Sequence, residues 1–183
     1  MSEEMLVCHC SPTLAGLKTG SLFSCPYSSQ KMIIKEIREF NQKLTQKGIR
    51  IIPVRISDKR MLVYVYRPEK LKEDFSDEKT QIILKCKGYD CTNLSQCICR
   101  LIQKLQSDPD FPHEIGLFLG YPAEDVKGFI ENKAACSKCS GCWKVYGDEQ
   151  AARILFKKYK KCTEIYCRRW KGGVAVEQLT ITI

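Results

Sequence analysis

No stretch of this sequence is long and apolar enough to cross a bilayer. Its longest apolar run is "MLVYVY", residues 61–66, where a spanning helix needs about 20 residues. The opening "MSEEMLVCHC" holds two acids and no apolar core, so it does not read as a secretory leader. There is no internal repeat, low-complexity tract or linker-like segment. Acidic residues are in the minority, 21 against 30 Lys and Arg, and the net charge of +9 favours anionic partners, of which nucleic acid is one. These features predict a single cytoplasmic domain spanning 1–183, with no membrane partner. A chain of 183 residues buries a core without disulfide staples.

Cysteine is what the sequence has in quantity, at twelve residues. In a reducing compartment these are thiols, metal ligands or nucleophiles rather than a disulfide framework.

Periodicity predicts an α+β fold, a small mixed or antiparallel sheet with several packed helices. "KMIIKEIREFNQKLTQKG" places Ile33, Ile37, Phe40 and Leu44 on one helical face, with Ser28 or Ser29 as cap and Gly48 as stop. "IRIIPVRIS" and "RMLVYVYR" read as a hairpin turning at Ser57–Asp58–Lys59, with Pro53 pushing the first strand to a sheet edge. Helices are expected from Pro68, over "EKTQIILKC", and over "LSQCICRLIQKLQ" until the two prolines of "SDPDFP". Asp148 caps a long helix to about Gly172 that buries Leu155, Tyr159, Cys162, Tyr166 and Trp170. "WKVYG" and the alternating tail "VAVEQLTITI" are expected to be strands.

Four segments carry candidate chemistry. "AACSKCSGCWKVYGD" sets Cys136, Cys139 and Cys142 at overlapping CxxC spacings, the kind that holds zinc or an iron–sulfur cluster. No fourth ligand lies within the run. Cys8, Cys10, Cys162 or Cys167 would have to supply it, and inert thiols are the plainer alternative. At the N-terminus, "CHCSPTLAGLK" offers Cys10 as a nucleophile or ligand, with His9 or His113 as base or second ligand and Lys18 as a charge that favours the thiolate. A strand here would put Cys8 and Cys10 on one side and His9 on the other, and Pro12 and Gly16 would open a loop after it.

The third segment, "HEIGLFLGYPAEDVKGFIEN", has helix-turn-helix spacing. Gly116 allows close helix approach, Gly120 makes the turn, and Ile115, Leu119, Val126 and Ile130 close the core. Its second helix sets Glu124, Asp125 and Glu131 against one lysine, which suits packing better than DNA phosphates. His113 and Glu114 sit at its mouth as polar site candidates. The fourth is the last long helix, whose Arg and Lys residues face a single glutamate, Glu164, between Ala151 and Lys171. That helix reads as a solvated basic face or an anion-binding strip.

The segments "HCSPTLAGLKTGSLF", "FPHEIGLFLGYPAEDVKGFIENK" and "G-x-WKVYGD" together resemble a bacterial family of unknown function found mainly in anaerobic Gram-positive bacteria. The family pattern maps onto His9, Cys10, Pro12, Thr13, Gly16 and Lys18, and later onto His113, Glu114, Gly120, Tyr121, Gly128, Trp143, Lys144 and Tyr146. The triple-cysteine spacing is not part of it. The resemblance implies a small cytoplasmic protein with no established activity.

Three functions follow as expectations. The first is a small-molecule or anion-binding cleft, thiol-dependent in one form, built from the N-terminal loop and the PHEIG segment. Cys10, His9, His113 and Glu114 would be its reactive groups, and Thr13, Lys18, Tyr121, Trp143 and Lys144 its ligand contacts. The second is a metal or iron–sulfur redox protein using Cys136, Cys139 and Cys142. The third is a DNA-binding regulator using residues 113–131 and the basic last helix.

Overall fold

The computed structural model describes residues 1–107 and 110–182. In chain order its elements are α1 (Glu3–Leu14), β1 (Gly20–Pro26), α2 (Gln30–Leu44), β2 (Arg50–Ser57), β3 (Arg60–Tyr66), α3 (Pro68–Asp74), α4 (Glu78–Cys86) and α5 (Leu94–Ser107). After these come α6 (Ile115–Phe118), α7 (Ala123–Glu131), the short strands β4 (Cys139–Ser140) and β5 (Lys144–Val145), α8 (Glu149–Lys171) and α9 (Val176–Leu179). The α+β class is as expected, and both sheets are antiparallel. Among the described residues no helix is long and apolar enough to cross a membrane. Internal contacts divide the chain into two compact units, Met1–Glu69 with the chain from Tyr159 onward, and Lys70–Lys158.

The first unit is built on a three-stranded sheet in the order β1-β3-β2. The β2–β3 hairpin forms where the alternating runs predict it. Pro53 lies on the edge strand, and the register breaks between Pro53 and Arg55, where a residue without an N–H interrupts the ladder. Helix α1 covers β1 and α2 covers β2. Leu6, Val7, Cys10 and Leu14 of α1 meet Phe23 and Cys25 of β1, Ile33 and Ile37 of α2, and Val63 and Val65 of β3 in one apolar cluster.

Two expectations are overturned here. The N-terminal "CHCSPTLAGLK" segment is not a strand and loop: it is helical through Leu14, capped by Ser2, whose hydroxyl accepts the Met5 N–H. Leu6, Val7, Cys10 and Leu14 recur at helical spacing and bury one stripe, which outweighs the break expected from Pro12. Cys8 and Cys10 therefore face different ways, one exposed and one buried. The tail "VAVEQLTITI" contains α9 instead of a strand, because Val176 and Leu179, one helical turn apart, both enter the core.

A buried arginine joins the ends of this unit. Arg67, 2% exposed, donates to the carbonyls of Thr13 (2.7 Å), Leu14 (2.7 Å), Lys47 (3.0 Å) and Ile181 (2.9 Å). Thr13 and Leu14 form the last turn of α1, so the guanidinium satisfies carbonyls that the helix leaves open and suits its negative end.

In the second unit Phe118 is the centre of the core, with Phe75 edge-on at 4.9 Å and Tyr89 tilted at 5.5 Å. The expected helical hairpin is present as α6 and α7. A Cβ on Gly116 would lie 2.7 Å from Val126 Cγ2 and force that side chain aside, and Gly120 turns the chain with φ of 74°. Downstream, Asp148 caps α8 by accepting the Ala151 N–H, as its position predicts.

Candidate functional site

A cleft of about 430 Å³ opens on the second unit. The HEIG hairpin and the β4–β5 ribbon provide its walls. Its apolar surface comes mainly from Phe111, Ile115, Val126, Phe129 and the rings of Tyr121 and Trp143. Polar groups are few: His113, Asp125, Ser140, Cys142 and Lys144. The proportion is that of a small-molecule site, in which apolar walls provide affinity and a few polar groups fix orientation.

The aromatic wall is ordered by its neighbours. Tyr121 and Trp143 stack with centroids 4.7 Å apart at 27°, and Phe156 closes edge-on behind Trp143 at 4.6 Å. Trp143 donates its indole N–H to Asp125 Oδ2 at 2.6 Å. The other oxygen, Oδ1, accepts the backbone N–H groups of Tyr146 (2.7 Å) and Gly147 (2.8 Å). Asp125 is 3% exposed and lies in the first turn of α7, where a carboxylate also suits the helix dipole. One side chain thus sets the tryptophan and fixes the chain leaving the ribbon. Tyr121 donates its hydroxyl to the Cys142 carbonyl at 3.2 Å, and burial, with Cys142 nearby, pushes its phenol up to about 12.

Lys144 and His113 bring basic chemistry to the rim. The Lys144 ammonium donates to the Ala134 carbonyl at 2.5 Å, the one hydrogen bond it makes among the described residues, of the three its protons allow. His113 is exposed and meets Phe129 edge-on at 4.9 Å. Its neighbour Glu114 is buried and bonds to Lys104 and Tyr89. Glu114 Oε1 accepts Lys104 Nζ at 2.7 Å and Tyr89 Oη at 3.1 Å, and Lys104 also lies 4.6 Å above the Tyr89 ring. Burial alone would raise the Glu114 carboxyl, but the hydrogen bonds and the Lys104 charge outweigh it and hold the group below the usual carboxylate range.

His113, Tyr121, Trp143, Lys144 and Cys142, all singled out in the sequence, line this one cleft. The N-terminal candidates lie in the other unit, with Cys10 and Thr13 buried, Lys18 half-buried and His9 exposed. Cys10 is fully buried, and burial pushes its thiol far above the ordinary cysteine range despite the Lys18 charge and a hydrogen bond with Ser21. That environment opposes a thiolate nucleophile. Thr13 shares a hydrogen bond of 2.9 Å with Ser21, and His9 stacks on Phe23 at 5.0 Å. Lys18 donates its backbone N–H to the Pro12 carbonyl beyond the end of α1.

In the cysteine run, Cys136 is exposed with φ of 57°, Cys139 pairs with Val145 across the β4–β5 ribbon, and Cys142 reaches the cleft. Among the described residues no group of three or more His, Cys, Asp or Glu comes together to hold a metal ion. On α7, Glu124 and Glu131 are exposed, with Glu124 paired to Lys79 at 2.5 Å, and such carboxylates repel phosphate.

Asp125 and Arg67 are the organising residues that sequence reasoning missed. The signal for Asp125 was an acid beside Val126 in the first turn of an apolar helix, with a Trp N–H available downstream.

A family model matches residues 6–180 of the chain. The chain belongs to the DUF3793 family of proteins of unknown function. All three segments that carried the resemblance, residues 9–23, 111–133 and 141–148, fall within the DUF3793 match. No curated protein and no solved structure matches this DUF3793 chain.

Proposed function

We propose that this protein binds a small, flat, largely apolar molecule carrying one anionic group, and that the cleft beside the HEIG hairpin is its site. The observation that carries this is the stacked Tyr121–Trp143 pair held by Asp125, with Lys144 at the edge of the same cavity. A preordered aromatic wall offers a planar ligand a stacking surface at little entropic cost. The Lys144 ammonium supplies the charge-assisted contact for a carboxylate or phosphate, and the excess of basic over acidic residues draws such ligands in.

The test is a titration with a panel of aromatic carboxylates and aryl phosphates, read by Trp143 emission in a Trp170→Phe background. Saturable quenching is expected, weakened about tenfold by Lys144→Met for the anionic compounds and unchanged for neutral analogues. Absence of saturable quenching across the panel, or equal binding by Lys144→Met, would overturn the proposal.

A further inference from the structure

Two cysteines far apart in sequence meet in the unit formed by Met1–Glu69 and the chain from Tyr159 onward. Cys8 on α1 and Cys167 on α8 hold their sulfur atoms 3.8 Å apart across 159 positions of sequence. A disulfide is about 2.05 Å long, so bond formation asks for a closure of about 2 Å, within reach of side-chain rotation on two helices. Cys8 is exposed and Cys167 half-buried, so an outside reagent has access to the pair.

The other thiols compare poorly. Cys10 and Cys25 belong to the core. Cys91 and Cys97 also interact, but Cys97 is fully buried and donates to the Asp90 carbonyl at 2.9 Å.

We infer that Cys8 and Cys167 form a dithiol–disulfide couple that joins α1 to α8 when the surrounding thiol–disulfide balance turns oxidising. The oxidant is a low-molecular-weight disulfide. Cys8, the exposed thiol, loses its proton and attacks one sulfur of that disulfide, whose S–S bond breaks and releases one small thiol. Cys167 then loses its proton and attacks Cys8 Sγ in the mixed disulfide, expelling the second small thiol. The two cysteines are oxidised by two electrons, and the small disulfide is reduced to two thiols. The new bond closes a loop through almost the whole chain, the case in which a cross-link restricts the unfolded state most.

The experiment equilibrates the full-length protein with glutathione and glutathione disulfide at graded ratios, quenches with acid, and maps peptides by mass. Wild type should give the Cys8–Cys167 cross-linked peptide pair and a thermal midpoint raised by roughly 5–10 °C. Cys167→Ser removes the resolving thiol, so Cys8 should accumulate the glutathione adduct, on the order of tenfold above wild type. Cys8→Ser should lose both the cross-link and the thermal shift, and if that variant fails to fold, Cys167→Ser gives the answer alone. The inference is overturned if wild type and Cys167→Ser carry the adduct on Cys8 equally. It is also overturned if a cross-link forms at Cys91–Cys97 while Cys8 and Cys167 remain thiols.

Discussion

Asp125 accepts the indole N–H of Trp143 at 2.6 Å, and the bond joins α7 to the ribbon that precedes α8. Because the same carboxylate takes the N–H groups of Tyr146 and Gly147, it works as an acceptor in three directions. Asparagine cannot do this: its amide N–H₂ would face an N–H donor on one side. Asp125→Asn is expected to cost about 2–3 kcal/mol of stability and to shift Trp143 emission toward that of exposed indole. Urea denaturation followed by tryptophan fluorescence checks both, and a loss below about 0.5 kcal/mol would show that the carboxylate is not the organiser of this cleft.

Tyr146, whose backbone N–H bonds that carboxylate, buries its hydroxyl with no hydrogen-bond partner among the described residues. A buried hydroxyl without a partner has paid desolvation and received nothing in return. Tyr146→Phe should therefore leave the protein unchanged or more stable by up to about 1 kcal/mol, where most core substitutions destabilise. Thermal unfolding of the variant decides it, and a clear drop in midpoint would mean that the hydroxyl has a partner in solution.

Glu114 gives the second unit a pH-dependent contribution. Its carboxyl is held below the usual range in the folded state, so its stabilising effect is fully present above the unfolded value and is lost as pH falls through the folded one. Glu114→Gln leaves Lys104 without its counter-charge in a site where the two side chains are 4% and 18% exposed. At pH 7 the substitution should cost about 3 kcal/mol. The gap between wild type and variant should narrow as pH drops below the carboxylate range of about 4. Urea midpoints at neutral and acid pH measure this, and a gap independent of pH would assign the cost to shape instead of charge.

Much of the fold was legible wherever an apolar stripe ran over several turns without interruption. Leu94, Ile98, Leu101 and Leu105 announced α5, and Tyr159 and Cys162 announced the buried side of α8. Misreading came where cysteine and serine hold core positions. Counted as apolar, Cys10 completes the helical stripe of Leu6, Val7 and Leu14 in α1. In the same way Ser21, Phe23 and Cys25 alternate inward along β1, which polar patterning hides. The aromatic and basic members of the cleft were visible as residue types. Asp125 was not, because its importance lies in partners about 20 residues downstream that only the folded hairpin brings to it.

Burial sorts the twelve cysteines into an order of reactivity that the sequence alone did not provide. Cys8, Cys86, Cys99, Cys136 and Cys142 are exposed, whereas Cys10, Cys25, Cys97 and Cys162 are buried. Burial raises the thiol in each of the four buried cases, to about 11 for Cys162 and about 12 for Cys97. A thiol reacts through its thiolate, so access and acidity act in the same direction here. Short treatment of the native protein with a heavy-isotope alkylating reagent, followed by denaturation and the light form, should place heavy label mainly on the five exposed cysteines. The four buried ones should carry mainly the light form, with Cys10 among the last to react. Early heavy labelling of Cys10 would contradict its place in the core of α1 and restore it as a nucleophile. A uniform ratio over all twelve would mean that the native protein opens globally faster than it is labelled.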